Sequence, residues 1–316
     1  MTSKTTPPIA LGAWSWGTGM VGGDQVFGNS IGEAELRPVF DEARAHGLNL
    51  WDTAPVYGMG SSETILGSLI KQHPGEEIVV STKFTPQVAG DAADPVAQMA
   101  SESCERLGVD VIDLYWIHNP ADVEKWTPAL IPLLEAGTVK RVGVSNHNLD
   151  QIKRVEEILS AAGQHLSAVQ NHYSLLYRSS EDAGILDYCR EKNIEFFAYM
   201  VLEQGALAGV YGADHPMPAA SQRGQTYNPI LPALDELTAV MRTIGEEHGA
   251  SVAQVAIAWA LAKGATPLIG VTKPRHVSDA ARAAEISLNA DEVTRLEAAA
   301  SATGVDTKGA WENAMA

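Results

Sequence analysis

The 316-residue chain has only two cysteines, Cys104 and Cys189, with no Cys-x-x-Cys and no His-rich metal spacing. Their scarcity excludes a disulfide framework and a zinc ribbon, and each reads as a reduced thiol in an amphipathic stretch. No metal site is expected. Cations are scarce as well: 22 Lys+Arg stand against 39 Asp+Glu, a formal net charge of -17. So acidic a chain repels polyphosphate, which argues against nucleic-acid and anionic-membrane partners. A small anion can still bind at a local positive spot. Long apolar runs are also missing. The longest, VAQVAIAWALA, is interrupted by Gln254 and falls short of the ~20 residues that span a bilayer. The opening MTSKTTPPIALGAW lacks the charged-then-apolar order of a secretory leader, so a cytoplasmic location is expected. Disorder is excluded, because 45% hydrophobic residues supply a large core.

What the chain does contain is a regular alternation. Short β-branched, apolar runs read as strands at Ile9–Trp14, Leu48–Trp51, Ile78–Ser81, Ile112–Ile117, Val139–Val144, Ala168–Gln170, Ile194–Tyr199 and Thr266–Ile269. Amphipathic helices lie between them. Leu36, Val39, Phe40 and Ala43 trace one helical face that stops at Gly47, and Leu149, Ile152, Val155 and Leu159 trace another. Asp94-Pro95 reads as an N-cap with Pro at the first helical position, closed by Gly108. Ser251 reads as the cap of a helix carrying Val252, Val255, Ala256 and Trp259, whereas Pro128 and Pro132 weaken the segment 126–136. Uninterrupted βα alternation predicts a parallel sheet, and eight strands in a chain of this size favour a closed (β/α)8 TIM barrel. The Gly-rich piece 17–32 does not read as a dinucleotide fingerprint, because its G-x-G-x-x-G at Gly17, Gly19 and Gly22 does not lead straight from a strand into one of the amphipathic helices. One domain over residues 1–316 is therefore expected, with a long loop at about 203–229 over the barrel mouth.

In such a barrel, polar residues just past the C-terminal strand ends are the catalytic candidates. Asp52 and Tyr57 follow the second strand, Lys83 ends the third and His118 ends the fourth. Each alone can be a turn cap, a loop aromatic, a solvated cation or a core histidine. Together at successive strand ends they suit protonation of an oxygen on which charge develops. A phenol titrates near ~10, too high for easy proton transfer at neutrality. A Lys cation at ~4 Å in an effective dielectric of ~20 favours the phenolate by ~4 kcal/mol before desolvation is counted. Asp52 can hold Lys83, and His118 can donate to a substrate oxygen. A Schiff base on Lys83, giving a lyase, stays open, but it leaves Tyr57 unexplained.

The pieces WDTAPVYGMGSSETILG, STKF, DLYWIHNP, GTVKRVGVSNHN, VQNHYSLLYR and VAQVAIAWALAKG resemble the aldo-keto reductases, in order and over nearly the whole chain. YSLL and GALAGVY are similar to the bacterial and plant aryl-alcohol or pyridoxal reductase-like branch. The resemblance implies NADPH, with NADH also possible, and reduction of a small carbonyl substrate by a monomer or small homo-oligomer. It implies Tyr57 as general acid, tuned by Lys83 with Asp52, and His118 orienting the carbonyl. Ser145, Asn146 and Gln170 would hold the nicotinamide carboxamide and Tyr199 would stack on its ring. Leu202, Gln204 and Gly270 would follow the cofactor. At the adenosine end Thr272, Lys273, Arg275, His276 and Asp279 would contact the 2′-phosphate and adenine, aided by the following helix N-terminus. Trp14, Trp51, Phe84, Trp116, Met200 and Asn119 neighbour the strand ends as substrate-pocket candidates, with core packing the alternative for the apolar ones. Glu203 falls near the expected path of the cofactor phosphates, where a carboxylate is unfavourable unless it points away or pairs with a cation; one role for it is to latch the loop 203–229 over the cofactor through Arg223. A nucleotide-sensing protein with little turnover is the other reading of the same fold.

Overall fold

The computed structural model describes residues 8–316, and the seven residues that open the supposed leaderless start lie outside them. Eight parallel strands close into a barrel: β1 Ala10–Gly12, β2 Leu50–Asp52, β3 Val79–Phe84, β4 Leu114–Ile117, β5 Val142–Ser145, β6 Ala168–His172, β7 Glu195–Tyr199 and β8 Thr266–Gly270. Closure runs through β1 and β8, where Leu11 pairs Ile269. The expected strands are all present, with shifted ends. β3 extends to Phe84 because Lys83 and Phe84 pair Trp116 and Ile117 of β4.

The helices follow their local signals. Asp94 accepts the Ala97 amide at 3.0 Å, Pro95 opens the helix Pro95–Leu107, and Gly108 closes it at φ 66°. Ser251 and Gln254 form a reciprocal capping box for Val252–Ala262. Where Pro128 and Pro132 interrupt, the chain makes a 3-10 turn and the short helix Ile131–Glu135. Among the described residues no helix is long and apolar enough to cross a membrane.

Strand alternation divides the core in two. Ala10, Leu50, Leu114, Trp116, Ala168 and Phe197 point inward and fill the barrel, while their neighbours pack under the helices. Trp116 fits only because position 143 on β5 is glycine: a Cβ there would lie 2.3 Å from the Trp116 ring. This alternation corrects three substrate-pocket expectations. With Lys83 inward, Phe84 must face outward, where it packs 4.9 Å from Trp126. Trp51 likewise faces outward against Phe40 and Trp16. Trp116 does point inward, but it lies below the barrel mouth and packs edge-on against Phe197. All three are wholly buried.

Candidate active site

A cavity of about 770 Å³ opens at the C-terminal ends of the strands, and Asp52, Tyr57 and His118 are among its lining. Asp52 ends β2, and Tyr57 follows on a turn whose amide donates to the Ala54 carbonyl. Gly58, at φ 59°, lets that turn tuck under the loop after β1, since a Cβ there would meet the Thr18 carbonyl oxygen at 2.7 Å. His118 leaves β4 with its amide on the Phe84 carbonyl, 2.8 Å away.

The four candidates converge. Lys83 Nζ, fully buried, donates to Asp52 Oδ1 and to the Thr53 carbonyl at 2.8 Å. It also lies 5.1 Å from the centre of the Tyr57 ring. Asp52 Oδ2 accepts from Ser81 Oγ at 2.7 Å and Gln170 Nε2 at 3.2 Å, and Trp116 Nε1 supports Ser81 from beneath at 2.6 Å. Trp116 therefore sits under the carboxylate instead of lining the pocket. Trp14 stacks on Tyr57 at 5.8 Å and does line it, as do Asn119 and Met200. His118 stands edge-on to Tyr57 at 5.9 Å, with Nδ1 2.9 Å from Thr85 Oγ1.

Burial and charge set the protonation states. Burial opposes the Lys83 charge, but Asp52 and Tyr57 outweigh it and raise its pKa above the ordinary lysine value. Burial likewise raises the Tyr57 phenol, and the pull of Lys83 only partly offsets it, so the net shift is upward rather than downward. Burial and the Lys83 cation hold His118 well below the usual histidine range, hence neutral at pH 7. A protonated phenol and a neutral imidazole thus face one cavity, with a fixed ammonium buried beside the phenol. Such a set can give a proton to an oxygen and hold the charge left behind.

Away from this cluster the cavity has two chemically distinct ends. Toward β5 and β6 it is lined by amides and hydroxyls. Asn146, at φ 63°, donates to the His118 carbonyl at 2.9 Å and to Ser145 Oγ at 3.1 Å, and Tyr199 OH donates to Asn146 Oδ1 at 2.6 Å. Past β8 it carries cations. Lys273 precedes the helix Pro274–Ala283, and Arg275 lies in its first turn. His276 is not one of them: burial, with Arg275 and Lys273 beside it, pushes its pKa down to about 4, and its Nδ1 accepts from the Thr272 amide. Asp279 accepts from Gln254 Nε2 at 3.1 Å. Between the ends Gly270 leaves open space where a Cβ would project, and the Gln204 side-chain oxygen is buried without a partner. An extended ligand with an amide head and an anionic tail fits this donor set.

Glu203 lies elsewhere. It is fully buried, away from the cavity, and accepts from His172 Nε2 and Thr307 Oγ1 at 2.9 Å, from Tyr227 OH at 2.7 Å and from Ser174 Oγ. The expected pairing with Arg223 is not present, because Arg223 donates instead to the Gln204 carbonyl at 3.0 Å. His172 Nδ1 meets Glu312 Oε1 at 2.9 Å. With a carboxylate on each ring nitrogen, its pKa rises to about 9 in spite of burial. The segment from about 203 to 229 is only partly irregular: it holds the turn Glu203–Ala208 and the helix Gln222–Tyr227. Sequence reasoning missed Phe27, Tyr211 and Trp311 on the cavity wall. Trp311 belongs to the C-terminal GAWENAM, and no local pattern ties that tail to Tyr199, whose hydroxyl Trp311 Nε1 reaches at 3.2 Å.

The family model of the aldo/keto reductases matches residues 8–301. A chloroplastic pyridoxal reductase of Arabidopsis thaliana is 31% identical over 95% of this chain and 85% of its own length. An aldo-keto reductase of Strobilurus tenacellus is 30% identical, over 90% and 87%. Among solved structures, a glycerol dehydrogenase from Gluconobacter oxydans superposes with a TM-score of 0.80 at 27% identity, covering 97% of this chain and 96% of that one. An aldo/keto reductase from Klebsiella pneumoniae, solved with NADP and acetate, gives 0.69 at 25% identity, covering 93% and 91%. With its closed parallel barrel and this family match over nearly its whole length, the chain belongs to the aldo/keto reductase family of oxidoreductases.

Proposed function

We propose that the protein reduces an aldehyde or ketone to an alcohol with a nicotinamide dinucleotide, NADPH in preference to NADH, and that it oxidises the alcohol in reverse. The observation that carries this is the meeting of Tyr57, Asp52 and neutral His118 on one cavity, with Lys83 buried against Asp52 and Lys273 and Arg275 at the far end. In this reading residues 1–316 form one barrel domain, with the loop of about 203–229 across its mouth. The solved relative with NADP supports the cofactor class. When bound, the reduced nicotinamide supplies hydride to the carbonyl carbon, chemistry that side chains do not provide. Ser145, Asn146 and Gln170 would hold its carboxamide, Tyr199 would pack on its ring, Leu202, Gln204 and Gly270 would border its course, and Thr272, Lys273, Arg275 and Asp279 would receive the adenosine end.

The chain's own residues handle the proton. The Tyr57 hydroxyl gives its hydrogen to the carbonyl oxygen as negative charge develops there, and Lys83 steadies the phenolate that remains. Asp52 keeps Lys83 charged and aimed. In this reading His118 Nδ1, 2.9 Å from Thr85 Oγ1, accepts from the threonine hydroxyl, the tautomer that keeps the proton on Nε2 for the carbonyl oxygen. An amine free for a Schiff base is disfavoured, because Lys83 Nζ is held by Asp52 and the Thr53 carbonyl.

Titration with NADPH and NADH, followed by a panel of aldehydes and ketones, tests the reading. Tight binding with turnover that Tyr57→Phe removes is expected. If neither dinucleotide binds the purified protein, the proposal fails. If NADPH binds but no carbonyl turns over, the nucleotide-sensing alternative takes its place.

A further inference from the structure

Tyr199 ends β7 with a hydroxyl that has more partners than hydrogens. Its oxygen accepts from Trp311 Nε1 at 3.2 Å. Its single hydrogen has two acceptors in reach: Asn146 Oδ1 at 2.6 Å on the cavity side, and Glu312 Oε1 at 3.0 Å from the C-terminal tail, 113 residues away. One hydrogen serves one of them well at a time. The two acceptors are not equivalent. Asn146 offers a neutral amide oxygen and Glu312 a carboxylate, and a charged acceptor makes the stronger bond at equal distance. Glu312 is buried, and His172 Nδ1 meets the same oxygen at 2.9 Å. Because carboxylates face both ring nitrogens of His172, the tail carboxylate stays in place whichever way the Tyr199 hydrogen points.

Asn146 shows why a second acceptor matters. Its two amide hydrogens are committed to the His118 carbonyl at 2.9 Å and to Ser145 Oγ at 3.1 Å, with Asn119 Oδ1 beside them at 3.4 Å. All that this side chain can offer a ligand is Oδ1, and the Tyr199 hydrogen already engages it. A carboxamide N–H arriving there competes with the phenol. We propose, on the dinucleotide reading above, that Glu312 is a positioning residue for the cofactor: it takes over the Tyr199 hydrogen when the nicotinamide carboxamide binds, which frees Asn146 Oδ1 to accept the carboxamide N–H. The change is a rotation of the Tyr199 O–H about its C–O bond, and no proton passes between atoms. In this way a residue of the tail, out of reach of the cavity itself, acts on the nicotinamide end through Tyr199 and Asn146.

Calorimetric titration with three ligands tests it: NADP+, its 3-acetylpyridine analogue, whose acetyl group has no N–H, and 2′-phospho-ADP-ribose, which has no nicotinamide. Glu312→Ala is expected to weaken NADP+ about three- to tenfold, the worth of one hydrogen bond, and to leave the other two within about twofold. In a Tyr199→Phe background, where no phenol hydrogen contests Oδ1, adding Glu312→Ala should cost NADP+ nothing further. A tail that only held the fold together would move all three ligands alike and would ignore Tyr199. Glu312→Gln keeps the shape and offers a neutral acceptor. It should show the same pattern with a smaller loss, and it carries the test if the Ala variant loses its melting transition. NADP+ affinity unchanged in both Glu312 variants overturns the proposal. So does equal weakening of all three ligands, or a loss that persists in the Tyr199→Phe background. Asn146→Ala probes the reading beneath: if it binds NADP+ as tightly as the parent, the carboxamide assignment falls and this role of Glu312 with it. If the parent binds none of the three ligands, the dinucleotide reading itself falls.

Discussion

Lys83 and His172 are both buried to 0% exposure near strand ends of one barrel, and carboxylates hold each of them charged. Asp52 serves Lys83, while Glu203 and Glu312 flank His172. Their surroundings differ. Around Lys83 the neighbours Tyr57 and His118 present polar groups to the cavity. Around His172 the neighbours are other parts of the chain: Glu203 takes donors from β6, from the covering loop through Tyr227 and from the C-terminal tail through Thr307. A buried charge whose neighbours open onto a cavity is equipped for chemistry. One whose neighbours are other segments fastens them together, and here the segments are those that roof the site. The two clusters meet at Tyr199, whose hydroxyl reaches both Asn146 and Glu312.

The sharpest way to separate the two regions is a pair of substitutions. Tyr57→Phe keeps the stack on Trp14 and deletes the proton, so kcat for carbonyl reduction should fall ~10²- to 10⁴-fold with the melting temperature unchanged. His172→Gln should do the reverse. It leaves Glu203 and Glu312 buried around a neutral side chain, at a loss of about 3–5 kcal/mol in denaturant unfolding, with a smaller effect on kcat. If His172→Gln instead lowered kcat as far as Tyr57→Phe without touching stability, the contrast would collapse.

The pH dependence sharpens the same contrast. The folded pKa of His172, about 9, stands above its ordinary value of 6.5. Its stabilising contribution is therefore complete below pH 6.5 and is lost as pH rises through 9, a change of about 3 kcal/mol. Melting curves between pH 6 and 10 should fall in the parent, and much less in His172→Gln. The smallest effect is expected at Thr85→Val, which keeps the shape and removes the contact to His118 Nδ1. Carbonyl turnover should drop about fivefold, the worth of one neutral hydrogen bond, with cofactor affinity unchanged.

Much of this molecule is legible from its residues alone. The eight strands and the capped helices at Asp94 and Ser251 follow from short-range periodicity and from side chains that satisfy nearby amides. The convergence of Asp52, Tyr57, Lys83 and His118 is legible because a parallel barrel gathers strand ends at one face. The outward placement of Phe84 and Trp51 is legible too, since strand alternation sets each opposite its inward neighbour, Lys83 or Asp52. The fate of Glu203 was not. Its partners His172 and Thr307 stand 31 and 104 positions away, and no spacing links them. The same distance problem hid the placement of Trp311 beside Tyr199 and the grip of Arg223 on Gln204.

The sequence by itself determined the barrel, its order of elements and the residue types offered at each strand end, since these depend on contacts within a few residues or on a repeat that runs the length of the chain. Only the tertiary structure decided which of the buried charges face a cavity and which face one another. That choice rests on how strand alternation, the glycine that admits Trp116 and the docking of the tail on β6 and β7 resolve together. It also decided the protonation states, because burial, which no residue list contains, outweighs Lys83 at Tyr57 and is outweighed by two carboxylates at His172.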